Sequence, residues 1–126
     1  MNRLISFVFL SLALSFSTAV VADGHSTLRV VVVETDDAAG YTAQLKQGSQ
    51  LIQNIAPKMT MRAWHATFAG AATGSVIVGL EYPGSLAEFA AAWEKIQADE
   101  SVAKWLGGLS GLRNIVSDSL YSEISI

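Results

Sequence analysis

The hydrophobic positions of this chain switch between two periods, and each switch marks a new element. Leu28 to Thr35 (LRVVVVET) is a continuous β-branched run whose four valines predict a central strand covered on both faces. Asp36 and Asp37 follow, suited to cap a helix and complement its N-terminal dipole. From there to Ile55, Tyr41, Leu45, Gly48, Ile52 and Ile55 recur at steps of three and four, one apolar stripe that Pro57 brings to an end. Thr60 to Tyr82 returns to a period of two, broken by the small residues Gly70 to Thr73, and reads as a hairpin. Ser85-Leu86-Ala87-Glu88 is a capping box, and the helix it opens shows Leu86, Phe89, Ala90, Trp93 and Ile96 on one side. Asp99 or Ser101 restarts a shorter helical turn with Val102, Trp105 and Leu106, which Gly107-Gly108 closes. Leu112 to Ile124 is the last predicted strand.

With Gly70 to Thr73 as a four-residue loop, Arg62 pairs across the hairpin with Glu81, Trp64 with Gly79, Ala66 with Ile77 and Phe68 with Ser75. These residues share one face, and Met61, Ala63, His65 and Thr67 share the other with Val76, Val78, Leu80 and Tyr82. A slip of one residue would exchange the faces. In the last strand, simple alternation groups Asn114, Val116, Asp118 and Leu120 against Arg113, Ile115, Ser117, Ser119 and Tyr121.

The order β-α-β-β-α-β predicts an α+β, ferredoxin-like βαββαβ domain: a four-stranded antiparallel sheet with two helices on one face. The uncovered face would be a large apolar patch for a soluble monomer, which predicts a homodimer packed sheet to sheet. In this order, in the helix ending AAWEKIQADESVAKW before a Gly-rich exit, and in the final strand IVSDSLYSEI, the chain resembles the dimeric α/β-barrel superfamily. That superfamily includes antibiotic-biosynthesis-type monooxygenases, and the resemblance implies a dimeric α/β barrel. Its haem-degrading members use an asparagine near the first strand, a sheet tryptophan and a helix histidine. Only Trp64 matches that set, so the resemblance does not extend to haem degradation.

Composition narrows the picture further. Arg3, the apolar run Leu4 to Leu14 and Val20-Val21-Ala22 form a signal peptide over residues 1–22, cut before Asp23, which predicts a periplasmic or secreted protein. The apolar run is short of the ~20 residues that span a bilayer, so no membrane span is expected after cleavage. Removing 22 of the 126 residues leaves 104, one domain over 23–126, with seven Lys/Arg against eleven Asp/Glu and a net charge of −4. The basic residues are scattered singly, so no nucleic-acid partner is expected. Without cysteine there are no disulfides, thiolate metal sites or thiol nucleophiles.

Candidate chemistry is sparse. Arg62, Trp64, Phe68, Gly79 and Glu81 form a wall on which a small apolar or aromatic ligand could sit, Gly79 leaving room under the Trp64 ring. In the structural alternative Arg62 and Glu81 pair with each other and Trp64 is dimer core. His65 and Arg62 are the candidate catalytic residues of a cofactor-independent monooxygenase or isomerase, His65 as base. No metal or cofactor is expected: Glu34, Asp36 and Asp37 could hold a divalent cation, but helix capping explains them. Asp118 could be an inward carboxylate or an edge-strand charge. Tyr121, Ser119 and Arg113 could share a pocket. The three readings that remain are a small-ligand binder, an enzyme and a structural dimerisation module.

Overall fold

The computed structural model describes residues 25–126, so the signal peptide lies outside the described residues. Strands β1 (Thr27–Glu34), β2 (Thr60–His65), β3 (Val76–Tyr82) and β4 (Asn114–Ser122) form one antiparallel sheet in the order β2-β3-β1-β4. Helices α1 (Ala38–Ile55), α2 (Leu86–Gln97) and α3 (Glu100–Leu109) pack on one face, which makes the fold ferredoxin-like. None of the described helices is long and apolar enough to cross a membrane.

Local chemistry sets the helix boundaries. Asp37 caps α1, its Oδ1 accepting the Gly40 N–H at 2.9 Å. Both halves of the Ser85–Glu88 capping box are present. Asp99, rather than Ser101, caps α3 by accepting from the backbone of Ser101 and Val102. At the other end α3 runs to Leu109, so Gly107 and Gly108 lie inside it instead of closing it. Glycine disfavours a helix by about 1 kcal/mol per residue. Burial of Val102, Trp105 and Leu109 on one side offsets that penalty.

The core is the layer between helices and sheet. Tyr41, Leu45 and Ile52 of α1, Phe89 and Ile96 of α2, and Val102, Trp105 and Leu109 of α3 close on Val31, Val33, Val76, Val78 and Leu80. Trp105 lies directly on Gly48, where any Cβ would collide with the indole, and its Nε1 donates to the Gln44 carbonyl at 2.7 Å. The opposite face carries Leu28, Val30, Val32 and Ile77, all half-buried, beside an exposed Trp64. The valine run of β1 is therefore central in the sheet but fully covered on only one side.

Two details of register differ from simple alternation. In the hairpin Arg62 pairs with Gly79 and Trp64 with Ile77, two residues away from the pairing that a four-residue loop imposes. The ladder closes early, with Ala66 N–H donating to the Ser75 carbonyl and Gly74 N–H to the Ala66 carbonyl, both at 2.8 Å. The longer loop contains a helical turn, Gly70–Ala72, and needs positive φ at Gly70 and Gly74. An even shift preserves the faces, because side chains repeat every two residues. Phe68 is left on the loop, fully exposed. In β4 a bulge at Val116 puts Ser117 opposite Val32 but Ile115 opposite Val33. Ile115 thus joins Asp118 and Leu120 on the helix side, while Ser119 and Tyr121 take the other.

Candidate functional site

The uncovered face brings together four of the five wall residues expected there. Arg62 Nη2 lies 3.6 Å from Glu81 Oε1, a diagonal pair whose side chains are 62% and 47% exposed. The Trp64 ring sits over Gly79, 2.9 Å from where a Cβ would be. The ring thus fills the room that Gly79 provides and leaves a flat surface there instead of a recess. Phe68 lies away from this wall. His65 is on the other side of β2, at the sheet edge opposite Val76; it is exposed, and its ring has no hydrogen-bond partner among the described residues.

The helix side of the sheet holds a more organised group. Arg29 alternates with Val31 and Val33, so its side chain leaves β1 toward the helices. There it forms a bidentate pair with Asp118 of β4: Nε donates to Oδ1 at 2.9 Å and Nη2 to Oδ2 at 2.6 Å. The two side chains are 25% and 39% exposed, and the Arg29 guanidinium lies 4.7 Å from the Trp93 ring centroid. Hydrogen bonding to Arg29 holds the Asp118 carboxyl below the usual aspartate range; the charges of Arg29 and Arg113 act the same way, against the opposing effect of burial. Nearby, Arg113 Nη1 donates to the Tyr41 hydroxyl at 3.3 Å, and the Tyr41 ring is fully buried. Arg29, Asp118 and Arg113 border a cavity of about 70 Å³ whose apolar lining includes Trp93, Trp105 and Leu106. Ile115 of β4 also lines it and remains about half exposed.

Arg113 also borders a second, wider space of about 600 Å³ at the end of the sheet, with Glu34, Asp36 and Asp37 along it. No three His, Cys, Asp or Glu side chains among the described residues converge tightly enough to hold a metal ion. Asp37 is engaged as the α1 cap. Elsewhere, Glu123 accepts from the backbone and hydroxyl of Ser26, which hold its carboxyl below the usual range, and His25 Nδ1 lies 3.5 Å away. This contact ties the end of β4 to the start of β1.

Sequence reasoning missed Arg29, Trp93 and Tyr41, and placed Arg113 with Ser119 and Tyr121, which the β4 bulge puts on the other face. One signal was available. Arg29 is in phase with Val31 and Val33, a charge at a position whose period assigns it to the core. Asp118 was noted as a possible inward carboxylate, but its partner could not be identified without the β1–β4 pairing.

No protein-family model matches the chain, and no curated protein matches it in sequence. Solved structures do match in fold. A NIPSNAP family protein from Agrobacterium tumefaciens superposes with a TM-score of 0.63 at 16% identity, over 81% of this chain and 87% of that one. SnoaB, a cofactor-independent oxygenase from Streptomyces nogalater, gives 0.59 at 12% identity over 80% and 95%. A candidate antibiotic biosynthesis monooxygenase from Bacteroides thetaiotaomicron gives 0.55 at 15% identity over 81% and 90%. What these chains share is the fold, a ferredoxin-like βαββαβ domain.

Proposed function

We propose that this chain is a small-ligand-binding protein that works as a homodimer, each subunit binding its ligand in the chamber between helices and sheet. The observation that carries the reading is the Arg29–Asp118 pair, placed in phase with Val31 and Val33 beside a cavity. An apolar pair could fill that position, since replacing buried ion pairs by packed apolar groups is often neutral or stabilising. Local departures of this kind from the packing rule are expected at functional sites. The cavity is about 70 Å³, against ~150 Å³ for one that encloses benzene. An aromatic ring therefore has to extend past the partly exposed Ile115 and Asp118 that line it. Phenol is the test ligand: it is expected to shift the indole N–H resonances of Trp93 and Trp105 and leave that of Trp64 in place. Movement of Trp64 alone would return the site to the sheet face with Arg62, Gly79 and Glu81. Silence at all three indoles would favour a structural dimerisation module.

The dimer reading rests on where apolar surface remains. Of eight large exposed hydrophobic residues among those described, six belong to β4 and its tail; Ile115 and Leu120 of these lie on the helix side, and Tyr121 lies on the uncovered face. The half-buried Leu28, Val30, Val32 and Ile77 continue that surface across the sheet. A second copy is the fitting occupant, because Arg62 and Glu81 give the same face both signs of charge, which lets the patch complement itself across a two-fold axis. Sedimentation equilibrium should show a dimer that Tyr121→Lys dissociates; a wild-type chain that stays single at its highest soluble concentration would remove the dimer.

A second reading, a cofactor-independent oxygenase or isomerase, draws on the fold shared with SnoaB. In this chain Asp118 is ionised at neutral pH but is a weak base, because Arg29 stabilises its charge. His65 is on the sheet edge, away from that chamber. Dioxygen uptake with a hydroquinone, lost in Asp118→Asn but not in His65→Ala, would favour the enzyme over the binder. Export belongs to the same proposal and rests on Arg3, Leu4 to Leu14 and the Val20-Val21-Ala22 cut site. Intact mass of the chain recovered from a Gram-negative periplasm should correspond to a start at Asp23.

A further inference from the structure

Three charged side chains border the chamber, and only one is without a charged partner. Both oxygens of Asp118 are taken by Arg29, which Trp93 also covers. Arg113 has a single neutral partner, the Tyr41 hydroxyl at 3.3 Å, and among the described residues it takes part in no ion pair. A guanidinium has five donors in a fork that matches a carboxylate. Arg113 is half-buried, so its remaining donors are only partly served by water. It is also the residue common to the two spaces, the chamber of about 70 Å³ and the open cleft of about 600 Å³.

We infer that Arg113 anchors a small monocarboxylate, the carboxylate paired with its guanidinium at the junction of cleft and chamber. This rests on the ligand-binding reading above and names the class of ligand. Two magnitudes select that class. Bulk water takes ~30 Å³ per molecule, so a largely apolar chamber of about 70 Å³ accepts a group of two or three heavy atoms, the size of a short alkyl tail whose carboxylate stays at Arg113. Charge sets the second limit. Glu34, Asp36 and Asp37 border the cleft and outnumber Arg113, so its lining opposes any anion; that repulsion doubles for a dianion while the single guanidinium still offers one fork.

The test uses the mature chain and three probes: propionate, inorganic phosphate and propylamine, followed by amide and indole chemical shifts. Propionate is expected to give saturable shifts at Arg113 and at the Trp105 indole; phosphate and propylamine are not. Arg113→Gln should weaken propionate about tenfold or more, the loss expected when a charge-assisted bond is removed. Arg113→Lys, which keeps the charge and the fold but not the fork, should retain part of the binding. Propionate binding equally well to the Arg113→Gln protein, or phosphate binding better than propionate, would overturn the assignment. Phenol shifts at Trp93 and Trp105 report the chamber separately. If those persist while propionate fails, the anchor is wrong and the chamber stands; if both fail, the ligand-binding reading falls too.

Discussion

The two faces of one sheet each carry an arginine–carboxylate pair, and the pairs differ in every respect that matters energetically. Arg62 and Glu81 touch at a single point 3.6 Å apart, with side chains 62% and 47% exposed. Water and salt screen such a contact, and pairs of this kind contribute little. Arg29 and Asp118 meet through two bonds at 2.9 and 2.6 Å, under a tryptophan ring and beside a cavity. Their shared desolvation makes the pair costly to break, though not a large net source of stability. The same two chemical groups thus give a surface contact on one side and an organised polar site on the other. The surroundings decide which, through dielectric and geometry.

Substitutions can separate the two faces, and the largest effect is expected where α1 meets Trp105. Gly48→Ala would drive a methyl into the Trp105 indole and should destabilise the fold by about 2 kcal/mol, within the range for overpacking a core. Urea denaturation measures this, and an unchanged midpoint would mean that the indole moves freely. Next comes Asp118→Ala, which leaves Arg29 partly buried without its partner. Full burial would imply roughly 3–5 kcal/mol. The partial exposure of both groups lowers the expectation to about 1–2 kcal/mol.

Acid should tell the faces apart as well. Because the folded Asp118 carboxyl titrates below its ordinary value, its contribution is fully present above the usual aspartate range and is lost as pH falls through the lower folded value. The stability difference between wild type and Asp118→Asn should therefore shrink as pH drops below ~3.9. A constant difference from neutrality into that range would contradict the linkage. The smallest effect belongs to the uncovered face: a double-mutant cycle on Arg62 and Glu81 should give a coupling of no more than about 0.5 kcal/mol, fading with salt. A larger, salt-resistant coupling would move the pair from the rim of the proposed dimer interface into its desolvated centre.

Much of the fold was readable because it follows from local periodicity. Of the α1 stripe, Tyr41, Leu45, Gly48 and Ile52 are buried and Ile55 is partly so. The Ser85–Glu88 box and the Asp37 cap depend on residues within three positions of each other. The faces of the hairpin were also legible, since the register error was an even number of residues. Reading failed where a distant element decides. The bulge at Val116 answers to β1, not to the residues around it, and it moves Ile115 to the opposite face. The glycines of α3 stay helical because burial of Val102, Trp105 and Leu109 outweighs their propensity.

By itself the sequence determined the elements, the Asp37 and Ser85 caps, the apolar stripe of α1 and hence the ferredoxin-like order, because these depend on contacts no more than a few residues apart. Tertiary structure alone decided that Arg29 and Asp118, 89 positions apart, would meet. It also decided that Trp93 would cover them and that Arg113 would stand between chamber and cleft. Strand pairing joins distant residues with a specificity that depends on the whole sheet, so a site assembled across β1 and β4 has no local signature beyond one charge in phase with buried valines.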